Sequence, residues 1–215
     1  DPLELRLKNY AERDENEGKP FTSKELRACY RLGAERFGWS KRRPEPRSMR
    51  EGRELVGWGM ATANYPANYA PASAMARLLP DGTAEVTSAA SDMGPGTWTS
   101  MTQVAADALG LPIERVRFTL GDSRLPRTPP HGGSMTMASV GSAVQAACRK
   151  AREDALARGG GANELVDAMR RIGQPVEASA DVTPGDAGQR FSMHAFGAVF
   201  VEVAVDPDLG ETRVR

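Results

Sequence analysis

Charge is distributed so unevenly along this chain that it constrains the fold before any single motif does. Of its 28 basic and 28 acidic side chains, residues 56–148 hold only 11, whereas residues 1–55 hold 25. The charge-poor stretch is rich in Gly, Ala, Ser and Thr, a composition suited to burial or close backbone contact and poorly suited to a solvated surface. A chain of 215 residues is long enough to bury a substantial core, and that core belongs in the middle of the sequence.

Periodicity fills in the elements. Pro2 to Asn9 is expected to form a short helix with Leu3 and Leu7 on one face. A second helix, capped by Thr22 or Ser23, carries Leu26, Tyr30, Ala34 and Phe37 as an apolar stripe and ends at Gly38. Residues 41–53 mix basic side chains, prolines and glutamates without periodicity and read as a solvated linker. Strands are expected over 55–64, 72–79 and 84–89, with Asp81-Gly82 as a tight turn between the last two. Then come a helix over 97–109 ended by Gly110, a strand over 116–120 and a long Ala-rich helix over 134–158. A flexible Gly159-Gly160-Gly161 precedes a helix over 163–172 capped by Asn163, and strands over 196–205 and beyond Asp206–Gly210 close the chain. The pattern predicts an α+β fold of mixed, largely antiparallel sheets with packed helices and mostly hairpin connections. Residues 1–54 form a helical, charged segment and linker, and residues 55–215 an α+β domain.

Several function classes fall away. Zero net charge removes the electrostatic argument for nucleic acid or an anionic membrane as partner. No apolar run reaches the roughly 18–20 residues of a membrane span, and no signal peptide opens the sequence. Cys29, Cys148, His131 and His194 are the whole complement of Cys and His, too few and too scattered for a zinc ribbon or an iron–sulfur cluster. The cysteines lie on helical faces and read as buried thiols, not a redox pair. The opening Asp1-Pro2-Leu3 and a strand running to Arg215 suggest a piece of a longer polypeptide.

Two segments concentrate the chemistry. Ser91-Asp92-Met93-Gly94-Pro95-Gly96-Thr97-Trp98-Thr99 lies between a strand and a helix start, where unpaired amides and the helix dipole favour an anion and glycines admit a flat ligand. It lacks the Gly-Lys-Ser/Thr of a Walker loop and the third glycine of the dinucleotide fingerprint. Asp92 either orients a ligand or caps its own turn. His131-Gly132-Gly133-Ser134 leads into Met137-Ala138-Ser139-Val140-Gly141-Ser142 at a second helix start. A serine hydrolase fails on residue type, because Met137 stands two places before Ser139 where a nucleophile elbow needs glycine. Together the loops point to one extended anionic ligand gripped by backbone, a phosphorylated or pyrophosphorylated organic cofactor without protein metal ligands.

At these loops the sequence resembles the second molybdopterin-binding domain of the xanthine dehydrogenase/aldehyde oxidase family. The resemblance runs from Ser91–Thr97 through Gln103–Gly110 and Leu120-Gly121-Asp122 to Gly132-Gly133-Ser134 and Ala138–Ala143. Asp1–Arg6 with Asn9, and Phe196–Val203 to Asp206, are similar to the same large subunit, most of all in bacterial three-subunit aldehyde and isoquinoline oxidoreductases. The resemblance implies a molybdenum cofactor held by the dithiolene of a pyranopterin, often as the cytosine dinucleotide. It maps the cofactor contacts to Asp92, Met93, Gly94, Pro95, Gly96, Thr97 and Thr99, and to Met137, Ala138, Ser139, Val140, Gly141 and Ser142. It also implies hydroxylation of aldehydes or N-heterocycles with water as oxygen source, and partner subunits carrying iron–sulfur clusters and FAD.

Two departures from the family pattern matter. Ser91 and Pro95 stand where relatives often have Gln, and so lack a side-chain amide toward the cofactor. None of Glu153, Glu164, Glu177, Glu202 or Glu211 matches the motif of the family's glutamate base, so no catalytic residue is assigned and the chain alone is expected to be inactive. The alternative reading is a non-catalytic binding or assembly module on the same fold.

Overall fold

The computed structural model describes residues 1–160 and 164–215. In chain order its helices are α1 (Pro2–Lys8), α2 (Leu26–Phe37), α3 (Thr97–Leu109), α4 (Thr136–Arg158) and α5 (Leu165–Ile172), followed by the single turn α6 (Ala187–Arg190). Its strands are β1 (Arg13–Asp14), β2 (Lys19–Pro20), β3 (Arg50–Glu51), β4 (Glu54–Pro66), β5 (Ala72–Leu78), β6 (Ala84–Thr87), β7 (Val116–Thr119), β8 (Val176–Val182), β9 (His194–Val205) and β10 (Thr212–Val214). The architecture is the expected mixed α+β. The chain divides into two units, residues 1–66 with 188–215, and residues 67–187. The sequence boundary at residue 54 falls inside the first unit, at the start of β4.

In the first unit, β10-β9-β4-β3 form an antiparallel sheet in which β4 and β9 pair along their length, from Leu55 opposite Val205 to Pro66 opposite His194. Residues alternate across such a sheet, so Trp58 and Phe200 point to one face. There α2 packs, with the Phe37 ring 4.8 Å from Trp58 and Trp39 5.4 Å from Phe200. Gly33 permits the approach of α2, since a Cβ at that position would lie 2.5 Å from the Phe200 ring. The opposite face keeps Ala61, Ala63 and Val199 in solvent.

Helix α2 starts later than expected. Phe21 bridges to Ser192 and the Thr22 N–H donates to the Ser192 carbonyl, which holds this stretch extended. Neither Thr22 nor Ser23 therefore caps the helix; Glu25 occupies the N-cap without a side-chain bond. Gly38 ends it in the left-handed conformation, as the sequence predicts.

In the second unit the sheet order is β7-β6-β5-β8. β5 and β6 form the predicted hairpin, whereas β6 and β7 are parallel and joined through α3. The sheet face made by Ala72, Ala74, Ala76 and Leu78 is buried with Val86 and Phe118 in one core with Met101, Leu109, Val140 and Val144 of α3 and α4. Alanines at 143, 147, 151 and 155 lie in that core, allowing α4 to lie close on the strands. Cys148 is fully buried there and its thiol is pushed up to about 12 by burial, which leaves it inert, and both cysteines are free.

Connections are less local than expected. β8 was not anticipated, and the pairings β4–β9, β5–β8 and β6–β7 are not hairpins. α4 begins at Thr136, because Gly133 (φ 58°) and Ser134 (φ 55°) are left-handed and cannot belong to it. The expected cap at Asn163 lies outside the described residues. Among those described, no helix is long and apolar enough to cross a membrane, and no group of three His, Cys, Asp or Glu side chains is placed to hold a metal ion.

Candidate functional site

Both glycine-rich segments lie in the second unit, at the N-termini of α3 and α4. Sequence alone did not indicate how they meet. The His131 ring Nδ1 lies 2.7 Å from the Ser91 carbonyl oxygen, tying the approach to α4 against the start of the α3 loop. Separately, Asn68, in the segment ahead of β5, holds the α4 approach by donating from Nδ2 to the Gly133 carbonyl at 2.6 Å. Because both partners in each tie are far apart in sequence, no local pattern marks them.

The α3 loop is organised from within by Asp92. Its carboxylate accepts from the amides of Gly94 at 2.9 Å and of Gly96 and Trp98 at 3.4 Å. These bonds, that to Gly94 foremost, hold the Asp92 carboxyl below its usual range despite partial desolvation. Of the two roles open to Asp92, capping its own turn is the one the geometry displays. Gly94 (φ 116°) and Gly96 (φ 85°) require left-handed backbone, and nothing lies within 4 Å of where a Cβ would sit on either. Thr97 is buried, while Pro95 and Thr99 are exposed. Met93 and Trp98 project outward at 71% and 52% exposure.

The second segment behaves differently. Residues 137–142 lie within α4, and from Ser139, whose N–H donates to the Met135 carbonyl at 2.9 Å, onward their amides belong to the helix ladder. Ser139, Val140 and Gly141 are buried, and the Ser139 hydroxyl oxygen accepts from the Ala70 N–H at 3.0 Å. That geometry gives Ser139 a structural post and presents no nucleophile. Ser142 Oγ donates to the Ala138 carbonyl within the helix. The groups left for a ligand are the amides of the first turn, Thr136 to Ala138, where no side chain caps the helix, and the exposed Met137 side chain. Thr136 was absent from the sequence-based assignment, and the unfilled cap next to Gly132-Gly133 is the signal that marks it.

The arrangement is thus a pair of tied loops. One neutralises its own amides with Asp92, and the other begins a helix of 23 residues with its amides unclaimed by any side chain. Gly132, like Gly94 and Gly96, has open space where a Cβ would be. Flat apolar surface could rest on Met93, Trp98 and Met137, and an anion suits the α4 terminus. A pterin bearing phosphate has those two parts, so these residues fit it.

A family model described as molybdopterin cofactor-binding domain matches residues 32–215. This chain belongs to that family. Over its whole length this molybdopterin-binding chain is 32% identical to the aldehyde oxidoreductase molybdenum-binding subunit PaoC of Escherichia coli O157:H7, covering 32% of that protein. It is also 39% identical over 127 residues to the putative xanthine dehydrogenase molybdenum-binding subunit XdhA of Escherichia coli K12, matching 54% of this chain and 16% of that one. Among solved structures, the aldehyde oxidoreductase from Desulfovibrio gigas superposes with a TM-score of 0.76 at 24% identity, over the whole of this chain and 25% of that one. A Cu,Mo-CO dehydrogenase gives 0.77 at 19%, over the whole of this chain and 34% of that one; both are likenesses of fold. The chain spans about a third of the length of the relatives that it matches end to end.

Proposed function

We propose that the tied loops grip the pterin and phosphate of a molybdenum cofactor, in a holoenzyme that hydroxylates aldehydes or N-heterocycles with water as oxygen source. The observation behind this reading is the His131–Ser91 tie, which brings two backbone-rich helix starts together in a chain of the molybdopterin-binding family. When bound, the cofactor supplies a metal able to take two electrons from the substrate carbon. The chain's own residues bind and orient. Met93, Gly94, Pro95, Gly96 and Thr99 offer an open wall, shaped by Asp92 and anchored by buried Thr97. The amides of Thr136, Met137 and Ala138 receive an anionic group, as phosphate or the pyrophosphate of the cytosine dinucleotide form. Ser139, Val140, Gly141 and Ser142 fix that turn from behind. Iron–sulfur and FAD subunits complete the electron path in this reading.

The test uses the holoenzyme containing this segment. Gly132 does not need left-handed backbone and has free space at its Cβ, so Gly132→Val adds bulk to the cradle without straining the fold. Pterin, read by the fluorescence of its oxidised form, and molybdenum are both expected to fall about tenfold, as for one lost ligand-contacting group of ordinary strength. Arg117→Gln, an exposed change on β7, should retain both. Full cofactor content in G132V would refute the reading. The isolated chain is expected to be free of molybdenum and inactive, and stoichiometric metal with aldehyde turnover would overturn that expectation.

A further inference from the structure

The first unit holds a cavity of about 480 Å³ between α1, α2 and the inner face of β4 and β9. The volume lies in the range of small-molecule sites. Two cations line it, Arg6 and Lys24, and no carboxylate does. Among the described residues neither cation has an acidic partner. Arg6 donates to the Pro2 carbonyl at 3.0 Å, and Lys24 Nζ to the Ala11 carbonyl at 2.6 Å. The nearby acids are otherwise engaged: Glu12 pairs with Arg27 at 2.5 Å, and Asp14 accepts from Ser192 Oγ at 2.6 Å.

Lys24 is unusual in detail. Its ammonium lies over the rings of Phe21 at 4.4 Å, Tyr10 at 4.5 Å and Phe196 at 5.0 Å. Ring faces attract a cation but accept hydrogen bonds poorly, so three N–H groups share one carbonyl acceptor. Burial lowers the Lys24 pKa, outweighing the opposing pull of the Glu12, Asp14 and Glu15 carboxylates. The remaining walls combine Leu26 and the Phe196 ring with the Tyr30–Thr62 hydroxyl pair. Asn64 accepts from His194 Nδ1 through its Oδ1 at 2.9 Å, so its NH2 is the end left to donate.

We infer that this cavity binds a small planar monoanion, an aromatic carboxylate, with the carboxylate between Lys24 and Arg6 and the ring against Leu26 and Phe196. The ligand supplies the acceptor that the ammonium lacks, and its flat body suits an apolar and aromatic wall. Dianions such as phosphate suit the site less well, because one side is hydrocarbon. This assignment is independent of the cofactor reading, since every residue in it belongs to the first unit.

Calorimetric titration of the full chain with sodium benzoate near neutral pH tests it, with benzamide as the neutral isostere. Saturable binding of benzoate is expected, with benzamide weaker by about tenfold or more, the loss typical of a charge-assisted hydrogen bond. Lys24→Met should weaken benzoate by a similar factor and Arg6→Gln by about threefold. If K24M does not fold by circular dichroism, R6Q and benzoate-induced shifts of the Thr62 and Asn64 amide resonances decide instead. No saturation up to about 10 mM benzoate, equal binding of benzamide, unweakened binding by folded K24M, or shifts confined to other residues would overturn the inference.

Discussion

At the scale of single residues, Gly33 shows how packing overrides propensity. Alanine in a helix normally gains up to about 1 kcal/mol over glycine. Here a Cβ would lie 2.5 Å from the Phe200 ring, an overlap of the kind that costs about 1–3 kcal/mol. Overpacking wins, so Gly33→Ala should lower stability by about 1 kcal/mol in urea unfolding. Asp92 offers a test with a sign. Its folded pKa lies below the unfolded value, so its stabilising contribution is fully present above about pH 4 and is lost as pH falls through the folded value. The gap in unfolding midpoint between wild type and Asp92→Ala should be constant from neutral pH down to about 5 and close below about 4. A gap that widens in acid would contradict the assignment of Asp92 as the loop's internal cap.

Elements differ in how much of themselves they show in sequence. α3 is found where it was expected, because Gly96 and Gly110 bracket an amphipathic run with left-handed backbone at both ends. β8 was invisible because Glu177, Ser179 and Asp181 alternate with small alanines, leaving strong core signals only at its ends, Val176 and Val182. The start of α4 was misjudged because left-handed Ser134 has the composition of a helix cap without its conformation. The two loops of the site were legible as helix starts, but their union through His131 was not, since that ring meets a carbonyl 40 residues away. Ser139 also belongs at this scale, because its buried hydroxyl joins α4 to the segment ahead of β5 by accepting from the Ala70 amide. Ser139→Ala leaves that amide without its acceptor and should cost about 1–2 kcal/mol in chemical denaturation.

For the whole molecule, the second unit is one unbroken stretch, 67–187, whereas the first is assembled from two ends. All the principal core residues of the β5–β8 sheet and its helices lie within that stretch. Residues 67–187 expressed alone should therefore fold, giving dispersed amide resonances and a cooperative thermal transition. Residues 1–66 alone should not, because β4 would lack β9. A cooperative melt of the 1–66 peptide would show that α2 suffices for this sheet, contrary to the account of it as a β4–β9 structure.

The pairing of β4 with β9 also sets a timetable for synthesis. Leu55 cannot meet Val205 until the ribosome has added the intervening chain. At about 5–20 residues per second, that interval lasts roughly 8–30 s. Throughout it β4 lacks the strand it pairs with along its length, whereas the second unit has every residue it needs once Ala187 is added. Residues 67–187 therefore become complete before residues 1–66 can close their sheet, and a chaperone acting on the nascent chain would find its client in residues 1–66.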